Sequence, residues 1–138
     1  MAIVATKQSK KGDELKKALV ADDTDDVRQM AVTFMATLGY NAIGARNGNE
    51  AIKLLGEHPD TEAILTDLEM GSGAGGLDVL FAGSKLASKP MMVLMSGNLS
   101  PEIIEDARTI PGVRGCLRKP FRIGDLETLL FSAKPVVA

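Results

Sequence analysis

The chain alternates between short apolar runs and stretches in which apolar residues recur every three or four positions. A short, uniformly apolar run is typical of a strand that is buried on both faces, and the longer spacing is typical of one face of a helix. Each of five apolar runs is followed by a helical stretch. The predicted strands are residues 18–21, 41–45, 63–67, 91–97 and 115–117. The predicted helices are residues 27–38, 47–57, 77–87, 100–110 and 123–133.

The ends of the predicted helices carry local signals. Gly39 follows the last apolar residue of the first helix and ends it. Asp25 and Asp26 are predicted to cap the start of that helix. The fourth helix begins more clearly, because Ser100 is a favoured N-cap residue and Pro101 suits the first helical position. Acidic residues in its early turns complement the helix dipole.

Five strand-then-helix units predict an α/β domain with a doubly wound five-stranded parallel sheet and helices on both faces. Right-handed crossovers leave few topologies, and the flavodoxin-like order 2-1-3-4-5 is the one favoured. We expect one domain over residues 17–133, an N-terminal extension over 1–16 and a C-terminal tail over 134–138. On this interpretation the domain is stand-alone, with no output domain attached.

Composition narrows the function classes. The 138 residues are 25% charged and 45% hydrophobic, which is typical of a globular domain. The net charge of −2 gives no field that would attract nucleic acid or an anionic membrane. Cys116 is the only cysteine, so an internal disulfide and a cysteine-rich metal site are excluded. The sequence has neither an apolar run of about 20 residues nor a signal-peptide core, and we expect a cytoplasmic protein.

Polar or charged residues follow four of the predicted strands. Asp22 and Asp23 follow the first strand, Asp67 ends the third, Ser96 ends the fourth, and Lys119 follows the fifth. In a parallel sheet the carboxyl ends of the strands meet at one edge, so we expect these side chains to lie close together. Three crowded carboxylates repel one another unless a cation lies among them. Oxygen ligands of this kind favour Mg²⁺.

The same group of residues suits phosphoryl transfer. A carboxylate such as Asp67 can attack a phosphoryl group and form an aspartyl phosphate. Lys119 can pair with Asp67 or with an oxyanion bound to it, and Ser96 can donate a hydrogen bond to that oxyanion. Taken singly, Asp67 is explained equally well as a turn residue, and the acidic turn, Ser96 and Lys119 are explained better as ordinary turn or loop residues. Only the whole set favours a phosphoacceptor.

Four motifs carry a resemblance to a known family. They are "LVADD" (19–23), "ILTDLEM" (64–70), "VLMSG" (93–97) and "LRKPF" (117–121). In this order and spacing the chain resembles a response regulator receiver domain of two-component signalling. The resemblance covers residues 17–133.

The resemblance implies the roles of the acidic residues. Asp67 would accept a phosphoryl group from a phosphohistidine on a sensor histidine kinase or a histidine phosphotransfer protein. Asp23 and Asp67 would bind Mg²⁺ directly, and Asp22 would act mainly through water. The backbone carbonyl of Glu69 would complete the protein ligands.

The resemblance also implies how the signal leaves the site. Lys119 would form an ion pair with the phosphoryl group, Ser96 would shift toward it, and a cis peptide bond would precede Pro120. A downstream protein would bind the face formed by helix four, strand five and helix five. Whether two activated copies form a homodimer is left open by the residues.

This sequence departs from the family in two places. Met70 is followed by Gly71 and "SGAGG" (72–76) where the family usually has a Met-Pro pair, so we expect a loop with wide backbone freedom. Cys116 replaces the aromatic residue that rotates with the switch in many receivers. Signal output would then use the loop after strand four or the helix that begins at Ser100.

Other interpretations stay open. An intermediate or phosphate sink in a phosphorelay is one form of the same function. A Mg²⁺-dependent aspartyl-phosphate phosphohydrolase is the alternative from another class, because Glu69 has the spacing of its second acid. A receiver-like scaffold that accepts no phosphate is the third. The lysine-rich opening "KQSKKGDELKK" (7–17) is interpreted as a solvated extension or as a docking arm for a partner.

Overall fold

The computed structural model describes residues 15–132, so the predicted C-terminal tail and nearly all of the predicted N-terminal extension lie outside the described residues. The strands are β1 (Lys16–Ala21), β2 (Tyr40–Ala45), β3 (Ala63–Asp67), β4 (Met91–Ser96) and β5 (Val113–Arg118). The helices are α1 (Asp25–Thr37), α2 (Gly48–Glu57), α3 (Gly76–Ser84), α4 (Pro101–Arg108) and α5 (Ile123–Phe131). The predicted alternation of strands and helices is confirmed.

The five strands form one parallel sheet in the order β2-β1-β3-β4-β5. This is the predicted flavodoxin-like order 2-1-3-4-5. The register pairs Ala21 with Thr66, Asp67 with Met95, and Ser96 with Arg118. The carboxyl ends of β1, β3, β4 and β5 therefore lie side by side at one edge of the sheet.

Each face of the sheet supports its own apolar core. Alternate residues of a strand point to opposite faces, so Leu65 packs in the core beneath α1 and α5, whereas Ile64 packs in the core beneath α2, α3 and α4. Burying a side chain of this size contributes about 1.5–3 kcal/mol. All five residues of β3 are buried, and the strand that ends in Asp67 is held between β1 and β4.

The start of α1 differs from the prediction. Thr24, in an extended conformation, is the N-cap residue, and its side chain makes no capping hydrogen bond. Asp25 and Asp26 already belong to the first helical turn, so the prediction that they cap the helix is wrong. They instead place negative charge where the helix dipole is positive, and Asp25 Oδ1 accepts a hydrogen bond at 2.5 Å from Arg28 Nη2.

The start of α4 agrees with the sequence. Ser100 is the N-cap residue, its Oγ accepts a hydrogen bond from the backbone N–H of Ile103 at 3.2 Å, and Pro101 occupies the first turn. This start fixes where the chain turns after β4, close to the carboxyl edge of the sheet.

The fifth strand is longer than predicted, because it begins at Val113 instead of 115. Arg114 lies within it, half-buried, and donates hydrogen bonds to the carbonyl oxygens of Leu129 and Ser132 at the end of α5. A charged residue is tolerated in the strand because its guanidinium satisfies carbonyls that a helix end leaves unpaired. Within residues 15–132, no helix is both long and apolar enough to cross a membrane.

Candidate functional site

The β1–α1 loop carries the first two acids. Asp22 is fully buried, and its backbone N–H donates to the carbonyl of Ala45 at 3.0 Å. Its Oδ1 accepts from the backbone N–H of Thr24 at 2.8 Å, and its carbonyl accepts from Arg28 Nη1 at 3.0 Å. Asp23 is exposed. The loop is therefore fixed around Asp22, while Asp23 faces solvent.

Asp67 occupies the last position of β3 and is only 6% exposed. Its Oδ1 accepts a hydrogen bond from the backbone N–H of Leu68 at 3.0 Å. The chain packs closely beneath it, since a Cβ at Gly76 would lie 2.2 Å from the carbonyl oxygen of Asp67. Only glycine lets the first turn of α3 approach the strand end this closely.

Lys119 connects Asp22, which follows β1, to Asp67, which ends β3. Its Nζ lies 2.7 Å from Asp22 Oδ2 and 3.1 Å from Asp67 Oδ1. Its backbone N–H donates to the carbonyl of Ser96 at 2.8 Å, and the bond between Lys119 and Pro120 is cis, as the resemblance implied. Residues 97 positions apart in sequence thus share one ion pair.

The charges of the site shift the pKa values of its groups. Burial raises the pKa of Asp67, the neighbouring Asp22 carboxylate raises it further, and Lys119 opposes both effects. Burial lowers the pKa of Lys119, but its hydrogen bonds to Asp22 and Asp67 outweigh this and hold the pKa above its usual value. Asp22 and Asp67 share the single ammonium of Lys119, so negative charge is in excess around Asp67 and the lysine compensates only part of it.

Ser96 and Glu69 border the cluster. Ser96 ends β4, is 3% exposed, and its Oγ accepts a hydrogen bond from the backbone N–H of Asn98 at 3.0 Å. Glu69 lies two residues beyond Asp67, and its side chain is exposed. The structure therefore places Ser96 on the strand next to Asp67, and Glu69 in the loop that follows it.

The donor set suits a hard divalent cation. Among residues 15–132, one group of acidic side chains has the geometry of a metal site: ligand oxygens of Asp22, Asp23 and Asp67 lie within 4.8 Å of one another. Three carboxylates with no sulfur or nitrogen donor match the preference of Mg²⁺ for oxygen. The excess negative charge at Asp67 gives a further reason for a cation here, so the residues present fit Mg²⁺.

Sequence reasoning missed Arg28 and Thr24. Both fix Asp22, one through a guanidinium bond to its carbonyl and the other through a backbone N–H to its carboxylate. Arg28 follows Asp22 by six positions, on the first turns of α1, and this spacing is the one signal that could have identified it.

Cys116 is buried in the core on the side of α2, α3 and α4. Burial raises the pKa of its thiol, which keeps the sulfur protonated and unreactive. This agrees with its interpretation as a small buried apolar residue.

The fold and the site define a class: a doubly wound α/β domain with three clustered carboxylates and a lysine at the switch point of its sheet, the place where such folds bind ligands. Residues 18–131 match the sequence model described as the response regulator receiver domain. The chain belongs to the response regulator receiver domain family. Its members act in two-component signalling, and phosphorylation on aspartate and the use of Mg²⁺ are typical of them.

Two curated relatives illustrate the match. The putative response regulator NtrX-like of Rickettsia bellii is 30% identical over 112 residues, which cover 81% of this chain and 23% of the relative. The chain thus spans about a quarter of the length of the NtrX-like proteins that it matches. Chemotaxis protein CheY1 of Helicobacter pylori is 28% identical over 109 residues, covering 76% of this chain and 86% of CheY1.

Solved structures agree on the fold. A response regulator of Burkholderia pseudomallei, solved with a phosphorylated aspartic acid, a calcium ion and citrate, has a TM-score of 0.75 at 26% identity, covering 85% of this chain and 67% of that one. A response regulator receiver protein of Sinorhizobium medicae has a TM-score of 0.76 at 21% identity, covering 85% and 92%.

Proposed function

We propose that Asp67 accepts a phosphoryl group from the phosphohistidine of a sensor histidine kinase or a histidine phosphotransfer protein. The observation that carries this proposal is the ion pair of Lys119 with two buried carboxylates, one of them Asp67. The lysine holds a positive charge where the phosphoryl oxygens would arrive. Receiver domains are phosphoacceptors rather than classical enzymes.

In the proposed transfer, an oxygen of Asp67 forms a bond to phosphorus while the phosphorus–nitrogen bond of the phosphohistidine breaks. The electron pair of that bond stays on the ring nitrogen. The histidine leaves as a neutral imidazole when its other ring nitrogen already carries a proton, and otherwise the ring takes a proton from solvent. Lys119 neutralises charge on the phosphoryl oxygens, and the Ser96 hydroxyl donates a hydrogen bond to one of them. Because its pKa is raised, Lys119 is protonated for this role at neutral pH.

The proposed ligands of Mg²⁺ are the side chains of Asp23 and Asp67 and the backbone carbonyl of Glu69, with Asp22 acting mainly through water. When bound, the cation neutralises phosphoryl oxygens and aligns them with the acceptor. The exposure of Asp23 beside two buried acids supports entry of the cation from solvent.

The proposed output is phosphorylation-dependent binding of a downstream protein at the face formed by α4, β5 and α5, with a homodimer as a further outcome. Residues 17–133 are the proposed receiver domain, flanked by the extension 1–16 and the tail 134–138. That the receiver signals without an attached output domain stays a prediction. Measuring the mass of the protein in its native cells tests it. The cytoplasm is the proposed location, and the buried free thiol of Cys116 is compatible with a reducing compartment.

Beryllofluoride, which mimics an aspartyl phosphate, tests the proposal. In the presence of Mg²⁺ it is expected to bind the unmodified protein and to fail to bind Asp67→Asn. Asp60→Asn is the matched control, because Asp60 pairs with Lys17 near the start of β1, far from the carboxyl edge of the sheet. Equal binding to Asp67→Asn would contradict the proposal.

Acetyl phosphate and mass spectrometry provide a second measurement. One added phosphoryl group is expected in the unmodified protein and in Asp60→Asn, and none in Asp67→Asn. A separate incubation with unrelated phosphate esters distinguishes the phosphohydrolase, because steady turnover of those esters would favour that enzyme over a phosphoacceptor.

A further inference from the structure

The end of β2 and the first turn of α2 contact the two loops beside the acids of the site. On one side, the carbonyl of Ala45 accepts a hydrogen bond from the backbone N–H of Asp22 at 3.0 Å. On the other side, Oδ1 of Asn49 accepts a hydrogen bond from the backbone N–H of Ala74 at 3.2 Å. Ala74 lies in the loop that follows Asp67. The segment from Ala45 to Asn49 thus connects the β1–α1 loop to the β3–α3 loop.

The contact with the β3–α3 loop depends on two glycines. A Cβ at Gly48 would lie 2.0 Å from the carbonyl oxygen of Ala74, so the backbone of α2 and the loop touch directly. Gly73 has a φ of +88°, and a Cβ there would lie 2.9 Å from Asn49 Nδ2. A larger residue at Gly48 would displace the loop backbone, whereas a larger residue at Gly73 would be strained by its positive φ and would push the Asn49 side chain aside.

The loop has little local restraint of its own. Gly71 and Gly73 both have positive φ values, and no proline follows Met70. At the end of the loop, Gly76 N–H donates to the Leu68 carbonyl at 2.8 Å and Gly75 N–H donates to Asp78 Oδ2 at 2.9 Å. In the middle of the loop, among the residues that the structure describes, the backbone N–H of Ala74 donates a hydrogen bond to the side chain of Asn49.

We propose that Asn49 is a positioning residue for the acidic site. By holding the middle of the β3–α3 loop, its side-chain amide restricts the arrangement of Glu69, whose backbone carbonyl is a proposed cation ligand. A loop rich in glycine would otherwise lose more conformational freedom when it orders around a cation. The inference rests on the proposed function of Asp67 and its cation.

Asn49→Ala tests the inference by removing the acceptor. In the metal-free protein, the Ala74 amide is expected to exchange its proton about fivefold faster, since a hydrogen bond of this kind contributes about 1 kcal/mol. The dissociation constant of Mg²⁺, measured by calorimetric titration, is expected to rise by about twofold to fivefold. Asn49→Asp retains an acceptor oxygen at the same reach, and slow exchange at Ala74 is expected to return.

Asn41→Ala is the matched control, because Asn41 is an exposed asparagine on β2 away from the loops. It is expected to change neither measurement. Gly73→Ala is a second variant that crowds the same contact from the loop side. It is expected to weaken Mg²⁺ binding, and less so when Asn49→Ala is already present, because the two changes affect one contact.

The outcomes separate the inference from the proposed function. If the unmodified protein binds Mg²⁺ and Asn49→Ala binds it with the same dissociation constant, the inference alone is overturned. Unchanged exchange at Ala74 would overturn it as well, because the hydrogen bond would then not hold the loop. An unmodified protein that binds no Mg²⁺ would overturn the proposed function and the inference together.

Discussion

Replacing Lys119 by methionine is expected to destabilise the metal-free protein, because two buried carboxylates lose their cation. At an effective dielectric constant of about 20, the separations of 2.7 Å to Asp22 and 3.1 Å to Asp67 give gross attractions of about 6 and about 5 kcal/mol. Desolvation cancels most of this, and breaking a buried pair typically costs about 3–5 kcal/mol. Since the lysine side chain is 21% exposed, we expect a net loss of about 2 kcal/mol.

The assay is urea unfolding at neutral pH with a chelator present, followed by circular dichroism. The raised pKa of Lys119 means that its stabilising contribution is complete at this pH and is lost only as alkaline pH passes through the folded pKa. Lys53→Met is the matched control. Its ion pair with Glu57 spans 3.9 Å and both side chains are largely exposed, so we expect a change below about 0.5 kcal/mol.

Mg²⁺ provides the second arm of the experiment. Saturating Mg²⁺ is expected to narrow the difference between Lys119→Met and the unmodified protein, because a bound cation replaces the missing positive charge and stabilises the native state. Equal free energies of unfolding without Mg²⁺ would refute the reasoning. A loss that Mg²⁺ leaves unchanged would show that the lysine stabilises by packing instead of charge.

Three further outcomes are expected. Because the pKa of Asp67 is raised, its charge destabilises the metal-free fold at neutral pH, and Asp67→Asn should unfold at a higher urea concentration than the unmodified protein. This difference in stability should shrink as the pH falls through the folded pKa of Asp67. Asp23→Ala should abolish the Mg²⁺ dependence of acetyl phosphate labelling, measured by mass spectrometry. Lys119→Ala should retain some phosphorylation but lose partner binding in a pull-down, and unchanged binding by the phosphorylated variant would contradict this.

The fold could be predicted because its signals are local. β3 is an unbroken apolar run that ends in Asp67, and a strand buried on both faces requires such a run. The positions of Asp22 and Lys119 follow from the same logic, since each comes directly after a strand of a parallel sheet. Once the strand order is fixed, the meeting of these residues at one edge is a consequence of topology.

What the sequence did not predict depends on contacts between distant residues. The bond between Asn49 and Ala74 joins residues 25 positions apart, and an asparagine in a first helical turn is ordinary without it. The N-cap of α1 was missed for a different reason. Thr24 lies among aspartates that cap equally well, so residue type alone could not choose among them.

The route from Asp67 to the surface is expected to pass through Ser96 and the loop between β4 and α4 instead of an aromatic side chain. The small, buried Cys116 has no ring to rotate. Lys119 contacts Asp67 through its ammonium and Ser96 through its backbone, and Ser96 Oγ accepts the N–H of Asn98. If rotation about χ1 carries Ser96 Oγ toward a phosphoryl group on Asp67, the bond that Oγ accepts from Asn98 must weaken. The chain between Asn98 and the start of α4 would then move first, at the proposed partner-binding face.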